Sequence, residues 1–224
     1  FDSHHGNLAA WFTEEPVWEI AGRGLSASAI EAFLHCPYHF FVKRILGIDT
    51  DTVADEIDVI APSDFGTMLH SALEGLFTVA KAEGWLPAAG QPWPAQARDR
   101  LTALFNDQVT DAKARGLTGW EPSWNATYDM VTSTFEEFLA LDAVQTRSEP
   151  PMFPAAAELT FGFEGGASVE FTLDSGQVVA LRGAIDRLDK SDDGRTVGVV
   201  DYKSGKSDSF EKALGIATGR AAPQ

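Results

Sequence analysis

The spacing of apolar residues changes period once along this chain, near residue 150, and that change restricts the fold class more than anything else in the sequence. Before it, Ile30, Phe33, Leu34, Tyr38, Phe41, Val42, Ile45 and Leu46 recur at steps of three and four, behind Ser26 or Ser28 as helix cap and ahead of Gly47 as stop. Pro37 should start a second helix there or kink the first. Asp64 caps a further predicted helix through Met68, Leu69, Ala72, Leu73, Leu76, Phe77 and Ala80, and Trp85 to Pro94 breaks it. Two more helical stretches, Ala95 to Ala114 and Trp124 to Leu141, lead to a proline-rich connection at Glu149 to Pro154. Beyond it the pattern alternates. Ala157 to Phe163, Ser168 to Leu173, Val178 to Leu188 and Thr196 to Lys203 read as strands separated by glycine turns, with a helix expected after Ser209. The prediction is a mixed α/β (α+β) chain: an irregular lead-in over 1–24 around Trp11 and Trp18, then one domain over 25–224, helical over 25–148 and strand-rich over 155–224.

The 224 residues are 44% hydrophobic, enough to bury a core, and 20 glycines and 11 prolines are too few for a fibrous or low-complexity chain. There is no membrane-length apolar run and no signal-like start, so a soluble protein is expected, and the single Cys36 fits a reducing, cytoplasmic setting; the start at Phe1 fits a piece of a longer protein. The one cysteine, Cys36, excludes an internal disulfide framework and a zinc site made only of thiolates. The net charge of −16 argues against unaided nucleic-acid binding. Its distribution is uneven: Arg182 to Arg220 holds eight basic and seven acidic residues, which leaves −17 for the first 181 residues. Asp49 to Ser63 reads as an acidic loop, and attraction to an anion would be concentrated late in the chain.

That late region contains LRGAIDRLDKSDDGRTVGVVDYKSGK, Leu181 to Lys206. A turn centred between Asp192 and Asp193 would pair the flanking strands with Ala184 opposite Asp201 and Asp186 opposite Val199. Asp186 and Asp201 would then be diagonal neighbours on one face, with Lys203 beside them. Two carboxylates suit a hard cation such as Mg²⁺ or Mn²⁺, and a lysine suits charge developing on a phosphoryl group. On spacing alone the same residues also fit charges on a solvated sheet face, where pairs contribute little.

The strand-turn-strand with G-x-x-D followed by Val200-Asp201-Tyr202-Lys203 resembles the PD-(D/E)XK nuclease superfamily in its RecB-like branch. Leu25-Ser26-Ala27-Ser28 to Cys36-Pro37-Tyr38-His39-Phe40-Phe41 is similar to the opening L-S-x-S…C-P-x-x-F-F of such domains. Gly66 to Glu74 is similar to their G-x-x-x-H-x-x-L-E helix, and Glu158 to Phe161 to their E-x-x-F strand. The resemblance implies a restriction-endonuclease-like core, a central mixed sheet flanked by helices behind a helical N-terminal part. It implies metal ligation by His70, Asp186, Asp201 and the Tyr202 carbonyl, with Lys203, Asp186 and Asp201 in catalysis. Glu74 and Glu158 would orient that set or bind a second ion, or else be ordinary helix-surface and strand-end charges.

Cysteines in the C-P context, with three later cysteines, hold a [4Fe–4S] cluster in AddB-like members, so Cys36 becomes a cluster ligand in a longer parent protein. A small thiol packing in a helix is the alternative, and the expectation for this chain alone. Gln224 fits the first position of the family's Q-x-x-x-Y motif. The resemblance thus implies a Mg²⁺-dependent deoxyribonuclease, of exonuclease type, within a helicase-nuclease or DNA-repair protein, with DNA delivered by a helicase domain or partner subunit. The rival readings are an inactive nuclease-fold module docking DNA ends or a partner, another metal-dependent phosphoesterase, and an acidic interaction domain.

Overall fold

A computed structural model describes residues 24–48, 58–163, 166–167, 169–176 and 178–203. Most of the lead-in with Trp11 and Trp18, the acidic run over 49–57, the helix expected after Ser209 and Gln224 lie outside them. The chain divides into two compact units, 1–53 with 158–185 and 54–157 with 186–224.

In chain order the helices are α1 Ala27–His35, α2 Pro37–Phe40, α3 Pro62–Glu83, α4 Gln96–Ala114 and α5 Glu121–Gln145, and the last three, all long, belong to the second unit. Helix α3 starts two residues before the expected Asp64 cap. Ala61 is the cap and Pro62 opens the first turn, where its missing N–H is harmless and its fixed φ suits the helix. Asp64 instead sits inside that first turn and Lys81 in the last, each complementing the helix dipole, and Gly84 closes the helix at φ 74°. Its buried stripe is Met68, Ala72, Leu73, Leu76, Phe77 and Ala80. Gly75 lets α4 approach closely, since a Cβ there would lie 3.1 Å from a Leu104 methyl. Helix α5 runs past both predicted ends: Glu121 starts it ahead of Trp124, with Pro122 in its first turn, and Asp142, beyond the expected Leu141 end, is buried and paired. Leu101, Phe105 and Val109 of α4 join Trp124, Val131, Phe135 and Leu139 of α5 in one core with α3.

The strands are β1 Met152–Phe161, β2 Val169–Thr172, β3 Val178–Leu181, β4 Gly183–Ser191 and β5 Val197–Val200. They form a three-stranded sheet in the order β1-β4-β5 and a two-stranded β2-β3 sheet. The pairings β2-β3 and β4-β5 are antiparallel. Strand β1 begins inside the stretch expected to be a connection. It lies at the sheet edge, where Pro154 can be accommodated without a ladder N–H. Both β1 and β4 cross the division between the units, after Ala157 and before Asp186.

In the first unit Ser26 caps α1 as expected, its Oγ accepting from the Ala29 N–H at 3.2 Å, and Pro37 starts α2, which continues as a π-helical turn over Phe41–Ile45. The expected strand from Val178 to Leu188 is two strands. Arg182 interrupts it, donating its N–H to the Leu25 carbonyl at 3.0 Å, while Leu25 N–H reaches Ala180. Gly162, at φ 70°, lies where a Cβ would come within 2.5 Å of the Leu181 oxygen, so a side chain has no room. Apolar groups here are poorly covered: Leu34, Tyr38, Phe171 and Val178 are exposed, and a cavity of about 750 Å³ is lined by Leu25, Ile30, Phe33, Phe40 and Leu181. No helix among the described residues is long and apolar enough to cross a membrane.

Candidate functional site

Strand β4 alternates strictly where it enters the second unit. Arg187, Asp189 and Ser191 are buried, while Asp186, Leu188 and Lys190 point to the other face. The β4–β5 register differs from the expected one by two residues: Leu188, rather than Asp186, lies opposite Val199, and Arg187 lies opposite Val200. The cause is the turn. Gly194 N–H closes it onto the Ser191 carbonyl at 2.9 Å, Asp193 accepts from Ser191 Oγ and Arg195 N–H, and Thr196 returns to Ser191, making a four-residue loop over 192–195. An even shift preserves the faces. The last ladder pair is Arg187 with Val200; continued one step further, the same register would set Asp186 level with Asp201 rather than diagonal to it.

On the outward face, His70 from α3 brings Nδ1 to 3.4 Å from Asp186 Oδ1. The other Asp186 oxygen accepts the Tyr202 N–H at 2.6 Å, and the Tyr202 carbonyl lies 2.9 Å from His70 Nε2. A carboxylate and a backbone carbonyl therefore flank the two nitrogens of one imidazole. Glu74 is half-buried one turn of α3 beyond His70. Asp201 and Lys203 are more open: Nζ lies 2.9 and 2.7 Å from the two carboxylate oxygens, with side chains 54% and 50% exposed. Glu158 opens the 158–185 stretch of the first unit with φ 45°, the single positive φ at a non-glycine position among the described residues. Cys36, also in the first unit, lies between α1 and α2 and is half-exposed, so it is not a thiol packed within a helix. A sequence with one cysteine does not itself provide the usual four ligands of an iron–sulfur cluster.

The inward face holds a network the sequence did not disclose. Arg187 is 0% exposed and donates to Asp142 and, at 3.0 Å each, to Tyr202 Oη and Asp189 Oδ2. Its Nε is 2.8 Å from Asp189 Oδ1 without hydrogen-bond alignment, and its guanidinium stacks over Phe77 at 4.7 Å. Asp142 is held in turn by Trp93 Nε1 at 2.8 Å. Burial opposes the Arg187 charge, but the oxygens of Tyr202, Asp142 and Asp189 outweigh it and hold the guanidinium above its ordinary range. Burial also pushes Asp189 up, against the pull of Arg187, and pushes the Tyr202 phenol well above its usual value. A signal for this network existed in the alternation itself: with Asp186 facing out, Arg187 and Asp189 must face in.

The sequence pattern of the PD-(D/E)XK nuclease superfamily matches residues 24–221. The chain is similar to one component of the ATP-dependent helicase/deoxyribonuclease of Clostridium tetani, 28% identical over 213 residues, covering 92% of this chain and 18% of that protein. The proteins of the same description from Acetivibrio thermocellus and Symbiobacterium thermophilum are 28% and 32% identical, over 90% and 82% of this chain and 17% and 16% of theirs. The chain thus spans less than a fifth of the length of these relatives.

Proposed function

Because the chain belongs to the PD-(D/E)XK nuclease superfamily, we propose that it is the deoxyribonuclease module of a helicase-associated protein, hydrolysing DNA with a divalent cation, as an exonuclease. The observation that carries this reading is the approach of His70 Nδ1 to Asp186 Oδ1 at 3.4 Å. Adjacent corners of an octahedron with bonds of about 2.1 Å are about 3 Å apart, so the two atoms have nearly the spacing of neighbouring ligands of Mg²⁺ or Mn²⁺. His70 Nε2 against the Tyr202 carbonyl supplies the outer hydrogen bond that orients a ligating imidazole. The residues present therefore fit a hard cation on the Nδ1 side of His70, held by His70 and Asp186 with Asp201 as the third ligand; the Tyr202 carbonyl, on the Nε2 side, orients the ring in this arrangement and would join the ligands only with Nε2 turned to the cation.

When bound, such a cation polarises a phosphoryl oxygen and makes water a better nucleophile. The chain's own contribution is charge and placement. Lys203, on the outward face with Asp201, stabilises negative charge that grows on the scissile phosphate. Its present partner Asp201 is solvent-exposed, and an exposed pair of this kind is readily exchanged for a phosphate contact. Glu74 and Glu158 are the carboxylates we assign to supporting roles. With a net charge of −16, the module relies on a helicase domain or partner subunit, in the cytoplasm, to bring DNA to it.

The test is release of nucleotides from labelled linear DNA with Mg²⁺ by the parent complex, alongside Mn²⁺ calorimetry on this chain. Asp186→Ala should abolish both. Equal metal binding by wild type and Asp186→Ala would sink the assignment. The same acidic charge favours a second reading, a docking module, and a wild-type complex that unwinds DNA but never cuts it would select that one.

A further inference from the structure

We propose that Arg187 is a positioning residue for this site: from the inward face of the sheet it fixes Tyr202, and through the Tyr202 backbone it sets where Asp186 and His70 stand. The proposal rests on the metal-site reading above, but on a separate set of atoms.

Tyr202 touches both candidate ligands with its backbone, its N–H on Asp186 and its carbonyl on His70. The β5 ladder ends at Val200, so the register of Tyr202 is set mainly by its side chain. That ring stacks on Phe77, with centroids 6.4 Å apart and planes 11° from parallel, and meets Phe138 edge-on at 5.8 Å. Aromatic contacts tolerate sliding within the ring plane. The hydrogen bond from Arg187 to the phenol oxygen at 3.0 Å does not, and it fixes how deep the ring sits.

Arg187 is itself fixed on every side. Asp142 and Asp189 take its donors, Phe77 takes its flat face, and Trp93 anchors Asp142. A planar fork with five donors suits this arrangement and an ammonium does not. Stability alone does not account for a charge here, because apolar side chains of similar volume often replace buried ion pairs without loss. Covalent order adds the coupling: Asp186 and Arg187 are consecutive and opposite-facing, as are Asp201 and Tyr202. Each dipeptide therefore carries one site residue in front and its anchor behind.

The experiment follows amide hydrogen exchange at position 202 in the full 224-residue chain, with Mn²⁺ affinity by calorimetry, for wild type, Arg187→Met and Arg187→Lys. Both variants should lose roughly tenfold or more of the protection at position 202 beyond any loss that the core amides of α4 and α5 share through lower global stability. Mn²⁺ binding should weaken about 10–100-fold, the scale for removal of a group that orients a ligand. If Arg187→Met does not fold, Arg187→Lys and Tyr202→Phe carry the same comparison. Unchanged protection at position 202 overturns the proposal, and so does a loss shared equally by α4 and α5, which would mark a merely structural role. A wild-type chain that binds no Mn²⁺ overturns the metal reading instead, and the amide measurement still decides the clamp.

Discussion

The two faces of the β4–β5 hairpin both carry charge, under opposite conditions. In front, Asp201 and Lys203 pair in water with side chains about half exposed; behind, Arg187 lies between Asp142 and Asp189 with no exposure at all. An exposed pair contributes about 0–1 kcal/mol, whereas a buried one stabilises only while every member is present. The front charges therefore have little to do with holding the fold, and the back charges cannot be removed one at a time without damage. Front substitutions should change activity with little effect on stability, whereas back substitutions should change stability and, through Tyr202, the site as well.

The largest effect should come from breaking the back. Asp142→Ala leaves Arg187 buried with half its carboxylate partners and frees the Trp93 N–H, so unfolding in urea should show a loss of about 3–5 kcal/mol. A loss under about 1 kcal/mol would mean that the inward face is solvated after all.

Next in size is the front. Lys203→Ala should lower DNA hydrolysis by the parent complex by roughly two orders of magnitude, the scale for deleting one transition-state charge partner. Its urea midpoint should stay where it is, and Mn²⁺ affinity should be nearly intact, since no ligand is lost. Undiminished cutting would exclude Lys203 from the chemistry.

A smaller effect sharpens the comparison through pH. Burial first, against the pull of Arg187, raises the Tyr202 phenol in the folded chain. Between the unfolded value of about 10 and the raised folded one, the folded chain holds a proton that the unfolded chain has released, so stability must fall as pH rises through that window. Tyr202→Phe should flatten this alkaline limb of a urea-stability profile; a limb of unchanged slope would mean that the phenol is not buried against Arg187.

The smallest belongs to the turn that joins the faces. Hydrogen bonds from Ser191 Oγ and the Arg195 N–H lower the Asp193 carboxyl. A lowered acid contributes stability above its unfolded value of about 3.9, and that contribution disappears as pH falls through the folded one. Asp193→Asn should therefore remove a slight acid-limb slope, and with it the same slight amount of stability at neutral pH. A full-sized drop at pH 7 would show that the turn does more than set register.

Much of this arrangement was legible in the sequence, for reasons that differ by element. The change of period located the helix-to-strand transition because one-sided burial imposes it. Ser26 and Pro37 acted as punctuation because their local chemistry is the same in any fold. The hairpin faces could be read although its register could not: parity depends only on alternation, but register depends on which turn Ser191, Asp193 and Gly194 choose to close. The start of β1 was hidden because Pro154 reads as a breaker unless the strand is known to be an edge. The Arg187 network was hidden more deeply, since Trp93, Asp142 and Tyr202 come from distant positions and no local rule brings them together.

The uncovered apolar lining of the first unit bears on how this chain is best handled. A folded protein with a cavity of about 750 Å³ walled by Phe33, Phe40 and Phe171 will take up the environment-sensitive dyes used to report melting. Dye fluorescence should start high and change little on heating. Tryptophan emission is the better thermometer, because Trp93 and Trp124 sit in the helical core and report its loss directly.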